Sequence, residues 1–330
     1  MNILVTGGAG YIGSFMIKCL LERDVSVVVF DSLDRGIKEA IDEKAKFIQG
    51  NILDQEIVEQ VLAENQFDAV IHFAGYISMA ESMKNPGIYF RNNTLGSLNL
   101  IEQAVKYKVK SFIFSSTAGI YGNPTKIPIP EDHMANPTNP YGESKLMVEK
   151  ILSWYGKIYG LNFACLRYFN AAGASLDSNM GESHDPETHI IPLAIKAVLD
   201  NSEFTLYGDD YNTSDRTCIR DYIHVVDLVE SHVLALERLQ KESRRLPAGR
   251  QGYFYNVGTG LGHSNKEIID MIKKVSGVNL KVRISSRRPG DADVLIADPS
   301  RIKNELSFDP KHSDLETIVK TAWEWHKKQS

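Results

Sequence analysis

The stretch Ile3-Leu4-Val5-Thr6-Gly7-Gly8-Ala9-Gly10-Tyr11-Ile12-Gly13 decides how the chain folds. A short apolar run breaks into a glycine-rich turn. A helical pattern follows, with Phe15, Ile17, Leu20 and Leu21 among its apolar positions. A second apolar run, Val25 to Phe30, ends at Asp31. Strand, glycine turn, helix, strand and acid in that order are the signature of a βαβ unit that binds a dinucleotide. The glycines let the backbone turn tightly and approach a pyrophosphate, whose charge sits at the helix N-terminus. A carboxylate at Asp31 accepts hydrogen bonds from adenosine ribose hydroxyls and repels a 2′-phosphate, so NAD is expected rather than NADP. A purely structural Gly-rich turn would explain the glycines, but not the flanking strands together with the acid.

The alternation continues. Ala45 to Ile48 reads as a strand and Gln55 to Ala63 as a helix. Ala69 to Gly75 reads as a strand running into a loop, Pro86 to Lys106 as one long helix, and Ser111 to Ser116 as another buried strand. Repeated units of this length imply a parallel sheet covered by helices on both faces. Ligands on such sheets gather at the carboxyl ends of the strands, so the loops after Val5, Phe30, Phe73 and Ser115 are expected to converge. His72 reads as a packed strand-end residue. Phe163 to Tyr168 is a further strand, after which the pattern changes to longer loops with scattered helices and short strands. The expectation is an α/β chain: a Rossmann-type doubly wound parallel sheet over residues 1–170, with a smaller C-terminal α+β substrate domain over 171–330. The boundary is soft, because some elements of the second half can return to the core.

Composition narrows the function class. A net charge of −5 over 330 residues argues against nucleic acid or a membrane surface as the main partner. Cys19, Cys165 and Cys218 are widely spaced with no metal-ligand pattern, which fits a reducing cytoplasm. No stretch approaches the ~20 apolar residues that span a bilayer, and no signal peptide is expected at Asn2-Ile3-Leu4-Val5. His184 and His189 with Asp185 lack ligand-like periodicity, so no metal is expected. The basic run over 241–252 reads as a solvated loop, and Leu315 to Trp325 as an amphipathic helix with Trp323 and Trp325 in a core or interface.

Chemistry enters at Tyr141-Gly142-Glu143-Ser144-Lys145. On a helix, the phenol and ammonium project from one face, one turn apart. A cation held there is expected to lower the tyrosine pKa, making a general base for an alcohol or sugar hydroxyl. Ser115-Ser116-Thr117 ends a strand about one helical segment earlier, and the Thr117 hydroxyl can share a proton with Tyr141. The intervening Asn123 to Pro140, rich in proline, reads as a surface loop.

These residues carry a resemblance. Thr6-Gly7 with Gly10 and Gly13, His72 to Gly75, Phe114 to Thr117 with Tyr121-Gly122, and Pro140 to Gly142 with Ser144-Lys145 resemble the extended short-chain dehydrogenase/reductases. Leu166 to Asn170, Arg220 to Val225, and Arg287-Arg288 with Gly290-Asp291 narrow the resemblance to the UDP-glucose 4-epimerases, nearly end to end. The resemblance implies oxidation at sugar C4 and return of the hydride, with NAD as cofactor, a UDP-hexose as substrate and no metal. Such enzymes are commonly homodimers in the cytoplasm. Carried over by position, it implies cofactor contacts from Gly7, Gly10, Tyr11, Ile12 and Gly13, and from Asp31 with Ser32, Leu33, Asp34 and Arg35. Further cofactor contacts are implied for Asn51, Ile52, Phe73, Ala74, Gly75, Asn92 and Phe169, with Tyr141 and Lys145. Thr117, Tyr141 and Lys145 are the implied catalytic residues. Asn170, His189, Tyr207, Arg220, Arg288, Asp291 and Leu295 are implied, with Thr117, to hold the substrate. The two arginines suit a diphosphate, which a guanidinium fork pairs bidentately.

Departures from the family pattern bear on the same positions. Asn51 stands where an adenine-contacting acid is usual, Ile77 replaces a lysine of some members, and Arg216 occupies a common glycine position. Leu295 falls where some members carry a bulky tyrosine, which leaves room for N-acetyl sugars. Related dehydratases usually carry Asp-Glu after the threonine, and UDP-glucuronate decarboxylases a Glu at the second position. Ala118 and Gly119 disfavour both. A non-catalytic NAD sensor on this fold would tend to lose Thr117, Tyr141 and Lys145.

Overall fold

The computed structural model describes residues 1–184, 186–242, 252–288 and 291–330. Asp185, Gly290 and all but the ends of the basic 241–252 run lie outside the described residues.

In chain order, the first elements are β1 (Asn2–Thr6), α1 (Tyr11–Leu21), β2 (Ser26–Asp31), β3 (Lys46–Gln49), α2 (Gln55–Glu64) and β4 (Ala69–His72). Next come α3 (Met79–Lys84), α4 (Pro86–Tyr89), α5 (Gly96–Lys106), β5 (Ser111–Thr117), α6 (Pro140–Tyr159) and β6 (Asn162–Tyr168). Then follow β7 (Asn170–Ala172), α7 (Ile190–Leu199), β8 (Glu203–Tyr207), β9 (Ile219–His224), α8 (Val225–Glu242) and β10 (Tyr253–Val257). The last are β11 (Gly262–Ser264), α9 (Asn265–Ser276), β12 (Lys281–Ser285), β13 (Val294–Leu295), α10 (Ser300–Leu306) and α11 (Leu315–Gln329).

The chain forms two compact units. The first comprises 1–121, 135–167 and 229–255, and the second 122–134, 168–228 and 256–330. The chain passes from the first unit to the second between 167 and 168. The expected loop over 123–140 is divided, with 122–134 in the second unit, and the segment 229–255 returns to the first.

The first unit carries a seven-stranded sheet in the order β10-β6-β5-β4-β1-β2-β3, with β4-β5, β4-β1, β1-β2 and β2-β3 parallel. This is the Rossmann-type α/β arrangement that the repeated units imply. Leu4, Val28, Phe30, Val70, Phe112 and Phe114 share one core with Val58 and Leu62 of α2, Leu100 and Ile101 of α5, and Val148 and Leu152 of α6. The alternate residues Ile3, Val5, Val29, Ile71 and Ile113 are equally buried. By strand alternation they face the opposite side, which a sheet covered on both faces requires. Strand order reverses between β1 and β4, so ligands belong beyond the carboxyl ends of this pair.

The helix expected over Pro86 to Lys106 is interrupted. Phe90–Leu95 is π-helical between α4 and α5. Such widened turns are common where a side chain is re-aimed for function. Here the buried Asn93 side chain accepts from the Tyr76 amide at 2.8 Å and donates to the Tyr76 carbonyl at 2.9 Å. It thereby fixes the loop after β4.

In the second unit β9 pairs with β7, β11 and β13, and β8 with β12 in parallel. Its core collects Ile191, Ile195 and Val198 of α7, Ile268 and Ile272 of α9, and Ile318 and Val319 of α11. Trp323 packs against that core.

Candidate active site

The site begins at the glycine turn after β1. Gly7 has φ +73°, and a Cβ there would lie 2.4 Å from the Ala74 amide nitrogen, so the loops after β1 and β4 are pressed together. A Cβ at Gly13 would meet the Gly7 carbonyl at 2.2 Å. Gly10 differs: the nearest atom to its Cβ position is the Gly7 oxygen at 3.4 Å, an ordinary contact. The protein's own packing thus explains Gly7 and Gly13 but not Gly10, whose side of the turn is open at the N-terminus of α1. That helix has no side-chain cap, so its terminus suits an anion such as a pyrophosphate. Tyr11 and Ile12 open the helix.

Asp31 ends β2 and is buried. One carboxylate oxygen accepts from the Ala9 amide and the other from the Leu33 amide, both at 2.9 Å. Those bonds orient the carboxylate across the turn and use about two of its roughly four acceptor sites, which leaves capacity for ribose hydroxyls. Ser32 to Arg35 follow directly, with Leu33 in the left-handed region at φ 64°. Arg35 pairs with Glu81 at 2.8 Å and stands over the Tyr76 ring. Asn51 accepts from the Leu53 amide at 2.9 Å. Ile52 is a core side chain packed under Gly96. Asn92 lies in the π-helical turn and donates to Asn93 at 3.2 Å. Phe73, Ala74 and Gly75 follow β4, and a Cβ at Gly75 would press on Asn93 at 3.2 Å and touch the Lys145 ammonium at 3.5 Å. These residues fit a dinucleotide. Phe169 belongs to the second unit, where its amide donates to Val257.

α6 begins sharply because the Asn139 side chain accepts from the Gly142 amide at 2.9 Å and Pro140 occupies its first turn. Such a cap contributes about 1 kcal/mol. Tyr141 and Lys145 are both buried on the face of α6 that meets the end of β5. The Thr117 hydroxyl accepts from the Gly119 amide at 3.0 Å and hydrogen-bonds the Tyr141 phenol. Gly119 and Gly142 permit that approach, since a Cβ on Gly142 would sit 2.5 Å from the Gly119 oxygen. The Lys145 ammonium donates to the Ser115 carbonyl at 2.9 Å and stands 4.9 Å from the centre of the Phe114 ring. Burial holds it below the usual lysine value, at about 8.

One expectation is corrected here. Lys145 was expected to lower the phenol pKa. Instead, burial pushes Tyr141 above its ordinary value, and the bond from Thr117 offsets only part of the rise. The phenol is desolvated while the ammonium is engaged by β5.

Sequence reasoning missed a neighbouring network. Glu149, two turns beyond Tyr141, accepts from the Ser116 hydroxyl at 2.6 Å and from Arg167 of β6 at 3.0 and 2.7 Å. Arg167 also donates to Tyr121 at 2.9 Å. Residues 141, 145 and 149 thus grip 117, 115 and 116 in turn. The available signal was a carboxylate at helical spacing on a face already assigned to burial. His72 is fully buried between Thr6 at 2.6 Å and Ser97 at 2.7 Å, and burial keeps it neutral, down to about 3.

The second unit brings other expected residues together. Arg288 lies 4.3 Å from the centre of the Tyr207 ring, and among the described residues no carboxylate pairs with it. Arg287 is instead committed to Asp210 at 2.6 Å and Asp293 at 3.0 Å. Arg220 is buried, donates to the Ile219 carbonyl and faces Asp291 at 3.6 Å. Leu295 is opposite Arg220 in the β13-β9 register, and Asn170 opposite Tyr222 in β7-β9. His189 immediately precedes α7. Burial opposes its charge, but Glu182 and Glu187 outweigh that and raise it to about 9. Asp221 and His224 are fully buried within the second unit. Asp221 accepts from the Thr259, Gly260 and Ala297 amides. Arg216 holds the turn before β9 in the left-handed region, at φ 66°.

Comparisons with known proteins identify the family. The UDP-glucose 4-epimerase of Lactobacillus helveticus is 44% identical over 328 residues, covering 99% of this chain and 97% of that relative. The crystal structure of UDP-glucose 4-epimerase from Brucella ovis in complex with NAD matches with a TM-score of 0.91 at 43% identity, over 98% of this chain and 97% of that one. The UDP-Glc/GlcNAc 4-epimerase of Campylobacter jejuni matches at 0.84 and 41%, over 99% of each chain. Residues 3–258 fit the model of the NAD dependent epimerase/dehydratase family. The chain belongs to that family.

Proposed function

We propose that this protein interconverts UDP-glucose and UDP-galactose by transient oxidation at sugar C4, with NAD as its resident cofactor. The observation that carries the reading is the bonding of Tyr141 to Thr117 on the helix face that also buries Lys145, beside a glycine turn left open at Gly10. When bound, oxidised nicotinamide accepts hydride from C4 and returns it to the opposite face.

The chain's own residues do the rest. Tyr141 takes the proton of the C4 hydroxyl and later gives it back. The Thr117 hydroxyl, already accepting from Gly119, donates its proton toward the phenolate and favours its formation. Lys145 is held by the Ser115 carbonyl within reach of the Gly75 backbone, where a cofactor ribose would pass. In the second unit, Arg288 and Arg220 offer forks to the diphosphate, Tyr207 a ring to the base, and Asn170, His189 and Asp291 polar contacts. Leu295 offers the hexose only apolar contact. A firmly held UDP and a loosely held hexose let the 4-keto sugar turn over before reduction.

The same features weigh against elimination chemistry. A Cβ at Gly119 would lie 3.3 Å from the Thr117 hydroxyl, so an acid there would crowd the residue that bonds Tyr141.

We also infer a cytoplasmic homodimer. Three buried free cysteines support a reducing compartment, and no helix among the described residues is long and apolar enough to cross a membrane. Along α6, Met147, Trp154 and Ile158 are exposed at helical spacing, a stripe suited to a second copy. The direct test is incubation with UDP-galactose. UDP-glucose should form with no net NADH, and absence of product would refute the reading.

A further inference from the structure

The segment before α7 gathers four metal-competent side chains, of which only His189 has a part in the substrate contacts proposed above. Glu182, His184, Glu187 and His189 each offer one ligand atom, and the four atoms lie within 4.8 Å of one another. His189 Nδ1 stands 2.8 Å from a Glu187 oxygen and 3.4 Å from a Glu182 oxygen, and His184 Nδ1 contacts that same Glu182 oxygen. A tetrahedral ion with bonds of about 2.0–2.2 Å spaces its ligands about 3.3–3.6 Å apart; the 3.4 Å between His189 and Glu182 falls in that range, and the 2.8 Å to Glu187 would have to open. We propose that these four residues form a binding site for a divalent transition-metal ion, with zinc the best match.

The charge balance favours this occupant. A divalent cation that displaces the imidazole protons meets two carboxylates, whose two negative charges cancel its own. Glu182 is buried, and among the described residues no lysine or arginine pairs with it. Its partners are His184 and His189, and a metal ion would take over from their protons as its counter-charge. Two imidazoles with two carboxylates select zinc and its late first-row neighbours over calcium or magnesium, which prefer all-oxygen shells. The backbone is braced for the role. The Trp325 indole donates to the Glu182 carbonyl at 3.0 Å, and its ring packs on Gly181. A reading of cysteine and histidine spacing overlooks this site because two of its four ligands are glutamates.

The test uses the tag-free protein with its cofactor, treated with chelator and dialysed. Titration calorimetry with zinc should show one ion per chain, and cobalt should give the visible absorption bands of a four-coordinate site. Magnesium and calcium should give neither heat nor stabilisation at equal concentration. His184→Asn and, separately, Glu187→Gln should each weaken zinc binding by more than about tenfold, while circular dichroism shows the fold intact. If one variant fails to fold, the other decides. No saturable zinc binding, or binding unchanged in a folded variant, overturns the proposal.

Discussion

The ammonium of Lys145 donates to the Ser115 carbonyl 2.9 Å away, on the same buried helix face as the Tyr141 phenol, where burial is the dominant influence on the phenol. The phenol, buried and bonded to Thr117, is therefore held above the ordinary tyrosine value in the protein alone. A positive nicotinamide ring is the remaining group able to reverse that shift. Protein stripped of dinucleotide should show no phenolate from Tyr141 below about pH 10, measured as the difference in ultraviolet titration between wild type and Tyr141→Phe. Reloading with NAD⁺ should move that difference to lower pH, and a neutral-pH phenolate without cofactor would contradict the geometry. The same variant should lose turnover by about 10²–10⁴-fold while retaining its dinucleotide.

The Glu149–Arg167 pair is buried on both sides, at 3% and 9% side-chain exposure. Removing one partner leaves the other charged in a desolvated site, so Glu149→Gln should cost about 3–5 kcal/mol in urea unfolding. Replacing both with apolar residues of similar volume should recover much of that loss. Because Glu149 also holds Ser116, beside Thr117, the double variant should regain stability without regaining full turnover. Full recovery of both would show that the network does not position Thr117.

Arg216 is exposed and adopts φ 66°. A left-handed conformation costs a non-glycine residue about 1–2 kcal/mol, partly offset by the entropy glycine loses on folding. Arg216→Gly should raise stability by about 0.5–1 kcal/mol. A destabilised variant would show that its side chain contributes more than the strain removes.

Leu295 lies beside Arg220 in the β13-β9 register and is smaller than a tyrosine. Some turnover of UDP-GlcNAc is expected, and Leu295→Tyr should abolish it while sparing UDP-glucose. No UDP-GlcNAc product from enzyme fully active on UDP-glucose would sink the idea.

Much of the first unit was legible because its signals are local. Glycines at 7, 10 and 13, the acid at 31 and the continuous apolar strands each dictate backbone geometry within a few residues. Tyr141, Lys145 and Thr117 could be named, but not their electrostatics: which partner the ammonium chooses depends on the depth of the β5 carbonyls against α6. The second unit was less readable, since β8, β9, β12 and β13 are short and pair across long sequence separations. Arg287 and Arg288 are alike as residues; the resemblance singles out Arg288, and Asp210 and Asp293 engage Arg287. The interruption at Phe90–Leu95 was hidden because a π-helical turn keeps nearly helical apolar spacing.

The central claim is that hydride leaves C4 and returns to the same carbon of the same sugar. Purified enzyme given UDP-glucose deuterated at C4, with no NAD added, should yield UDP-galactose that keeps the deuterium at C4, read by proton magnetic resonance. Deuterium lost to solvent, or product formed only with stoichiometric added NAD, would contradict the account.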